Sequence, residues 1–345
     1  MKETNQLPNR SPLRAFSLTS LLLGIILIMG AFLYATRYEI PLQVAIPVAL
    51  AFLLEALIYL VPGFPEVLSY LRKSFPKNKI ASMVLMVSIA PYLIYSIPTG
   101  VFSLVAAVKL TLFCGFIAWW FVLVKSPEKG LSLSDLVVLA VLAYPMISGM
   151  TTLFRDIYIG PHSAIPRLDI LGKLMLIPLG AITFLLIRGV SATGFRFKIS
   201  PVDLKIGIQN YIFFLVVGLP IALGIGFIRW SPIPIDDWTY LLSVLGNILG
   251  IYLVVGLGEE LYFRGLIQNL LTQRGLPLWV SQLISSILFG AAHLGRRGFP
   301  NWKYGAIAAM AGWFYGRAYS TRNSVPAAAV THTLVVVTWR YLFDN

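Results

Sequence analysis

Glu259, Glu260 and Arg264 stand together in one of the most apolar stretches of the chain, Gly-Leu-Gly-Glu-Glu-Leu-Tyr-Phe-Arg-Gly at 256–265. An ionised side chain at membrane depth costs about 2.5–3.5 kcal/mol even on the most lenient scale, so it persists where it is paired, faces a polar cavity or takes part in chemistry. Glu260 and Arg264 lie four residues apart, on one helix face, and can form an ion pair. Glu259 is rotated by about 100° and stands outside that pair. It is left as a free carboxylate in low-dielectric surroundings, which suits a base. Two histidines follow in equally apolar sequence: His293, four residues after Phe289, and His332. A carboxylate with two imidazoles points to a buried hydrolytic site. Each residue also has a plainer reading. The charges could cap a helix end, His293 could be interfacial, and His332 could serve an interhelical hydrogen bond. His162, beside Gly160 and Pro161, reads as a loop residue.

The elements that must position these groups are membrane helices. With 58% hydrophobic and 12% charged residues and a mean hydropathy of +0.81, a soluble globular reading fails. Eleven apolar runs are long enough to span a bilayer, at about 16–36, 41–62, 81–97, 101–124, 135–153, 169–187, 208–229, 238–258, 277–293, 303–319 and 323–343. The expected fold is an all-α polytopic membrane protein. Its first run, of about twenty residues, exceeds the usual 7–15-residue core of a signal peptide and reads as a retained anchor. Cys114, the single cysteine, falls inside a span and has no partner for an intrachain disulfide.

The net charge of +13 is topological rather than a nucleic-acid footprint. With the N-terminus inside, inner segments carry 17 Lys and Arg against 8 in outer segments. The positive-inside rule therefore gives N-in and C-out, with the basic excess facing anionic lipid. Residues 1–205 are expected to form a six-span extension, and 206–345 a bundle carrying the site. In the extension the interior ionisable residues are Glu55, Lys109 and Lys173, the last able to pair with Asp169. The bundle should be tightly packed, because Gly246 and Gly250, and Gly305, Ala309 and Gly312, recur at helical spacing and admit close backbone approach.

Depth decides whether the three candidate groups can meet. With the inner boundary near Arg274 to Pro277, Glu259 lies ~22 Å along a straight helix, His293 ~24 Å and His332 ~13 Å above Asn323. All three then reach the middle of the bilayer or somewhat beyond. This register keeps 261–273, with Arg264, Gln268, Asn269 and Gln273, shielded inside protein. Plain hydropathy would instead end the span near Glu259 and leave His293 far away.

Glu259-Glu260-x-x-x-Arg264-Gly265, then Phe289-x-x-x-His293, then His332, resembles the CAAX protease and bacteriocin-processing (CPBP, or Abi) family of intramembrane proteases, which includes the type II CAAX prenyl endopeptidases. The likeness covers roughly 245–340. It implies that Glu259 activates water for attack on a peptide carbonyl, that His293 assists or orients it, and that His332 stabilises the oxyanion. Glu260 and Arg264 would hold their helix, with Phe289 in support. The family pattern usually ends His-x-x-x-Asn, and here that position is Val336, leaving Thr333, Thr338 or Asn247 as substitutes. Glu259, His293 and His332 would also make a three-ligand zinc set with one open position. No metal is obligatory on this reading, since a carboxylate and two histidines supply both base and donor.

The implied substrate is a membrane-associated or lipidated peptide segment, entering from the cytoplasmic side or laterally. Two other classes compete: a non-catalytic scaffold, immunity or assembly factor on the same fold, and a transporter with Glu55, Lys109 and Lys173 along its path. With no organellar targeting signal, the expected location is a prokaryotic plasma membrane.

Overall fold

The computed structural model describes residues 11–127, 129–147, 152–231 and 238–344. The chain is predominantly helical, with only two short antiparallel strand pairs among the described residues. Seven helices there are long and apolar enough to cross a membrane. Their outward faces carry large apolar side chains such as Leu21, Ile26, Phe32 and Val216, as lipid contact requires. This is an integral membrane protein. The seven are fewer than the eleven apolar runs. The runs at 135–153 and 277–293 give the shorter helices Leu133–Met146 and Leu278–Ala291, with residues 148–151 outside the described set.

The chain folds as two compact units. One comprises residues 1–124 and 153–188 and contains the candidate spans Leu13–Arg37, Leu42–Gly63, Lys77–Ser96, Leu104–Leu123 and Asp169–Arg188. Its core holds an aromatic knot of Tyr92, Tyr95 and Tyr158. Glu55 is buried in this unit, and its Oε1 has no hydrogen bond among the described residues. Lys173 pairs with Asp169 at 2.8 Å. His162 lies in the hairpin Ile159–His162/Ile165–Arg167, where its Nδ1 accepts from the Ala164 amide.

The second unit comprises 125–152 and 189–345. It contains the spans Pro201–Gly224 and Tyr240–Gln273, with Leu133–Met146, Leu278–Ala291, Trp302–Arg322 and Val325–Leu342. Asp203 ties two helix starts together. It closes a capping box with Ser200, pairs with Arg196 at 2.7 Å and accepts from the hydroxyl of Ser324, which caps the last helix.

Tyr240–Gln273 runs unbroken for 34 residues, through π-helical turns at Ile251–Gly256 and Leu261–Gln268, so it does not stop at 258. Its polar second half survives because protein supplies the partners that lipid cannot. Gln268 Nε2 donates to Ser320 Oγ and Gly316 O, and the Asn269 and Gln273 amides donate to Ser191 O. The expected close packing at Gly246 and Gly250 is absent, since a Cβ at either would meet nothing within 4 Å. It occurs as expected at Gly305 and Gly312, and also at Gly290 and Gly316, where a Cβ would crowd neighbouring segments.

Candidate active site

The site is built on the α-helical turn Leu257–Glu260, between two π-helical turns of Tyr240–Gln273. Arg264 and Glu260 are both fully buried, with Arg264 Nε 3.1 Å from Glu260 Oε2. The guanidinium also donates to Ser285 Oγ at 2.9 Å and to the Gly312 carbonyl at 3.0 Å, and the Ser285 hydroxyl in turn donates a hydrogen bond to Phe263 O. The missing side chain of Gly312 is what lets Arg264 in, because a Cβ there would lie 3.3 Å from Nη2. One turn on, Gln268 meets the Gly316 carbonyl in the same manner. Arg264 and Gln268 thus form a polar ladder against a glycine-lined helix.

Glu260 has a second task that helix periodicity could not reveal. Its Oε1 lies 2.9 Å from His332 Nδ1 on the last helix. The carboxylate that pairs with Arg264 is the acceptor here, so that imidazole nitrogen is the donor. His332 is thereby oriented with Nε2 towards Glu259, 3.9 Å from Oε2. This is too long for a direct hydrogen bond, yet close enough for one oxygen atom to contact both groups. Glu259 Oε2 has no hydrogen bond of its own among the described residues.

His293 is fixed from its other nitrogen as well. Nδ1 lies 2.8 Å from Phe289 O, and a carbonyl only accepts, so Nδ1 carries the proton. Each imidazole is backed by a tyrosine from Trp302–Arg322. Tyr315 stacks on His332 at 4.7 Å and 11°, and Tyr304 on His293 at 5.6 Å and 14°. Phe289 touches both rings, 4.6 Å from His293 and 5.6 Å from His332. Among the described residues no three His, Cys, Asp or Glu side chains group closely enough to hold a metal ion.

Glu259, His293 and His332 line one cavity of about 490 Å³. Its walls are mixed: Phe214, Ile251, Val255, Ala308, Ala311 and Val336 are apolar, and Arg296, Arg297, Arg340 and Asp344 add charge. A small second pocket touches Glu259 and His293 from the side of Ala143 and Met146. The helix Leu133–Met146 belongs to this unit and is tied in by Tyr262, whose hydroxyl donates to Leu139 O at 2.7 Å. Two of the three substitutes considered for Val336 are occupied elsewhere. Asn247 donates to Ser243 O and Tyr341 OH, and Thr338 shares a hydrogen bond with Tyr211. Thr333 Oγ1 has no hydrogen bond among the described residues, but it lies against Gly256 and does not line the cavity.

Residues 241–338 match the family model described as type II CAAX prenyl endopeptidase Rce1-like. That Rce1-like segment is just over a quarter of the chain and holds Glu259, Glu260, Arg264, Phe289, His293 and His332. It makes this part of the molecule similar to the CAAX-type membrane endopeptidases, as the three motifs in order already implied. No curated protein and no solved structure matches the chain.

Proposed function

We propose that the second unit is an intramembrane peptidase that hydrolyses a peptide bond in a membrane-associated or lipidated protein. The observation that carries this reading is the convergence of Glu259 and the Glu260-oriented His332 on one point of a shared cavity. Glu259, Glu260 and Arg264 leave one uncompensated negative charge when all are ionised. A single proton, placed on His332 or on Glu259, neutralises the cluster, which a buried site favours. With that proton on His332, Glu259 is free to take one from water, and Nε2–H is aimed where the oxyanion forms. With Nδ1 committed to Phe289 O, His293 presents a bare Nε2 that can orient the water. Glu260 and Arg264 position, and the chemistry requires no metal.

On the N-in, eleven-span arrangement, the loop bearing Arg296 and Arg297 and the end of the last helix lie outside. The substrate then enters from that leaflet or laterally, rather than from the cytoplasm. The first unit would shape access or bind a partner in a prokaryotic plasma membrane. A second reading, a scaffold or assembly factor without activity, is favoured by one feature, the absence of a donor at Val336.

The test is cleavage of membrane-anchored and prenylated peptides in liposomes by wild type and Glu259→Gln, repeated with chelator and with added zinc. Wild type should cut, and the variant should lose at least about a hundredfold, as expected for a lost general base. If both proteins stay folded and neither cuts, the scaffold reading replaces this one.

A further inference from the structure

Hydrolysis of an amide needs hydrogen-bond donors for the oxygen that becomes negative, and the motif residues supply few. Glu259 accepts only, and His293 faces the cavity with a nitrogen stripped of its proton, because Nδ1–H is held by Phe289 O. His332 donates into the cavity only when it carries a second proton, because Nδ1–H is held by Glu260. Val336 lines the cavity without a donor, and the amides and hydroxyls of Asn247 and Thr338 are engaged elsewhere. The motif residues thus leave the oxyanion short of a donor, and the donors that the rest of the wall adds are Tyr304, Tyr315, Trp339, Arg296, Arg297 and Arg340.

We propose that Tyr304 fills this position as a catalytic hydrogen-bond donor to the oxyanion, a role that rests on the peptidase reading above. Tyr304 lines the same cavity as Glu259, His293 and His332. Its ring lies parallel to the His293 imidazole, centroids 5.6 Å apart, so the phenol runs beside the group that orients water. The placement is built in. Asn301 caps the helix by accepting from the Tyr304 amide at 3.0 Å. The next residue, Gly305, is packed so closely on Gly290 that a Cβ on the latter would lie 2.4 Å from the Gly305 carbonyl. That contact locks the helix start beside His293.

The hydroxyl is also polarised for donation. Arg296 Nη1 donates to Tyr304 OH at 3.2 Å, and its guanidinium sits 5.6 Å from the ring centroid. The phenol oxygen thus spends a lone pair on a cation while its own hydrogen has no acceptor among the described residues. In the reaction the water oxygen bonds to the carbonyl carbon and its proton passes to Glu259. The carbonyl π pair moves onto oxygen, which accepts from Tyr304 O–H and His332 Nε2–H. Collapse breaks the C–N bond, and the amine leaves with the proton held by Glu259.

The test compares Tyr304→Phe with wild type in liposomes, using a quenched fluorogenic farnesyl-cysteine peptide and a phosphonate analogue of it. Phenylalanine keeps the ring stacked on His293 and removes only the hydroxyl. Loss of an oxyanion donor should lower kcat about a hundredfold with KM within about threefold. Affinity for the tetrahedral phosphonate should fall by the same factor as kcat/KM. Val336→Asn placed in the Tyr304→Phe background should recover at least about tenfold of the lost rate, because it offers an amide to the same cavity. The proposal is overturned if Tyr304→Phe retains kcat while Glu259→Gln is dead. It is equally overturned if kcat falls but phosphonate affinity holds, since Tyr304 would then act only by placing His293. Wild type that cuts no better than Glu259→Gln removes the peptidase reading itself, and this role with it.

Discussion

Arg264→Met isolates the clamp from the chemistry. The arginine side chain is 0% exposed, as is that of Glu260 opposite it. Methionine retains the volume of the stem but strands the Glu260 carboxylate, whose remaining partner is His332 Nδ1 at 2.9 Å. It also orphans Ser285 Oγ and the Gly312 carbonyl as acceptors of the guanidinium. Hydrogen bonds to a charged group contribute about 1.5–3 kcal/mol each, and breaking a buried ion pair from one side costs about 3–5 kcal/mol in all. The expected loss is therefore about 3–5 kcal/mol. It would be measured by SDS titration in mixed micelles, with helicity as the readout. Glu260→Leu combined with Arg264→Met strands no charge, so the double variant should be more stable than Arg264→Met alone. Their coupling should exceed about 1 kcal/mol where independent sites add within about 0.5. A loss below about 1 kcal/mol for Arg264→Met, or strict additivity in the cycle, would refute the clamp.

Three further substitutions test the packing. In Gly290→Ala the new methyl meets the Gly305 carbonyl at 2.4 Å and Ala309 Cβ at 2.7 Å, so stability in the same titration should fall by about 1–3 kcal/mol. Activity should fall with it, since this contact seats Tyr304 beside His293. Gly246→Ala, where the Cβ enters open space, should instead stabilise by up to about 1 kcal/mol. Glu55→Met removes a buried carboxyl whose Oε1 has no hydrogen bond among the described residues. It should leave stability unchanged or raise it by about 1–3 kcal/mol, and a clear loss would mean that Glu55 has a stabilising partner.

How much of this was legible beforehand depended on the range of the rule applied. Membrane helices follow from hydropathy, and seven helices among the described residues are long and apolar enough to cross a membrane. The Glu260–Arg264 pair follows from a spacing of four, and it forms as expected. The end of the motif helix was ambiguous because hydropathy scores residues singly. It cannot know that Gln268, Asn269 and Gln273 find backbone carbonyls on neighbouring segments. The same blindness explains the glycines. Spacing marked Gly246 and Gly250 as readily as Gly305 and Gly312, but a small residue permits close approach without causing it, and only the latter pair faces a neighbouring helix.

The hidden part of the site is the set of contacts that cross between helices. Sequence separates Glu260 from His332 by 72 residues, and their hydrogen bond redefines both. Glu260 ceases to be a purely structural charge, and His332 ceases to be free to choose which nitrogen faces the cavity. The same holds for His293, where a backbone carbonyl four residues back fixes the tautomer. Motif spacing names the reacting groups, whereas the proton positions come from partners that no spacing rule selects. Once those protons are placed, the motif residues are rich in acceptors and poor in donors. A tyrosine outside every motif, held by a glycine contact and an arginine, then becomes the group the chemistry requires.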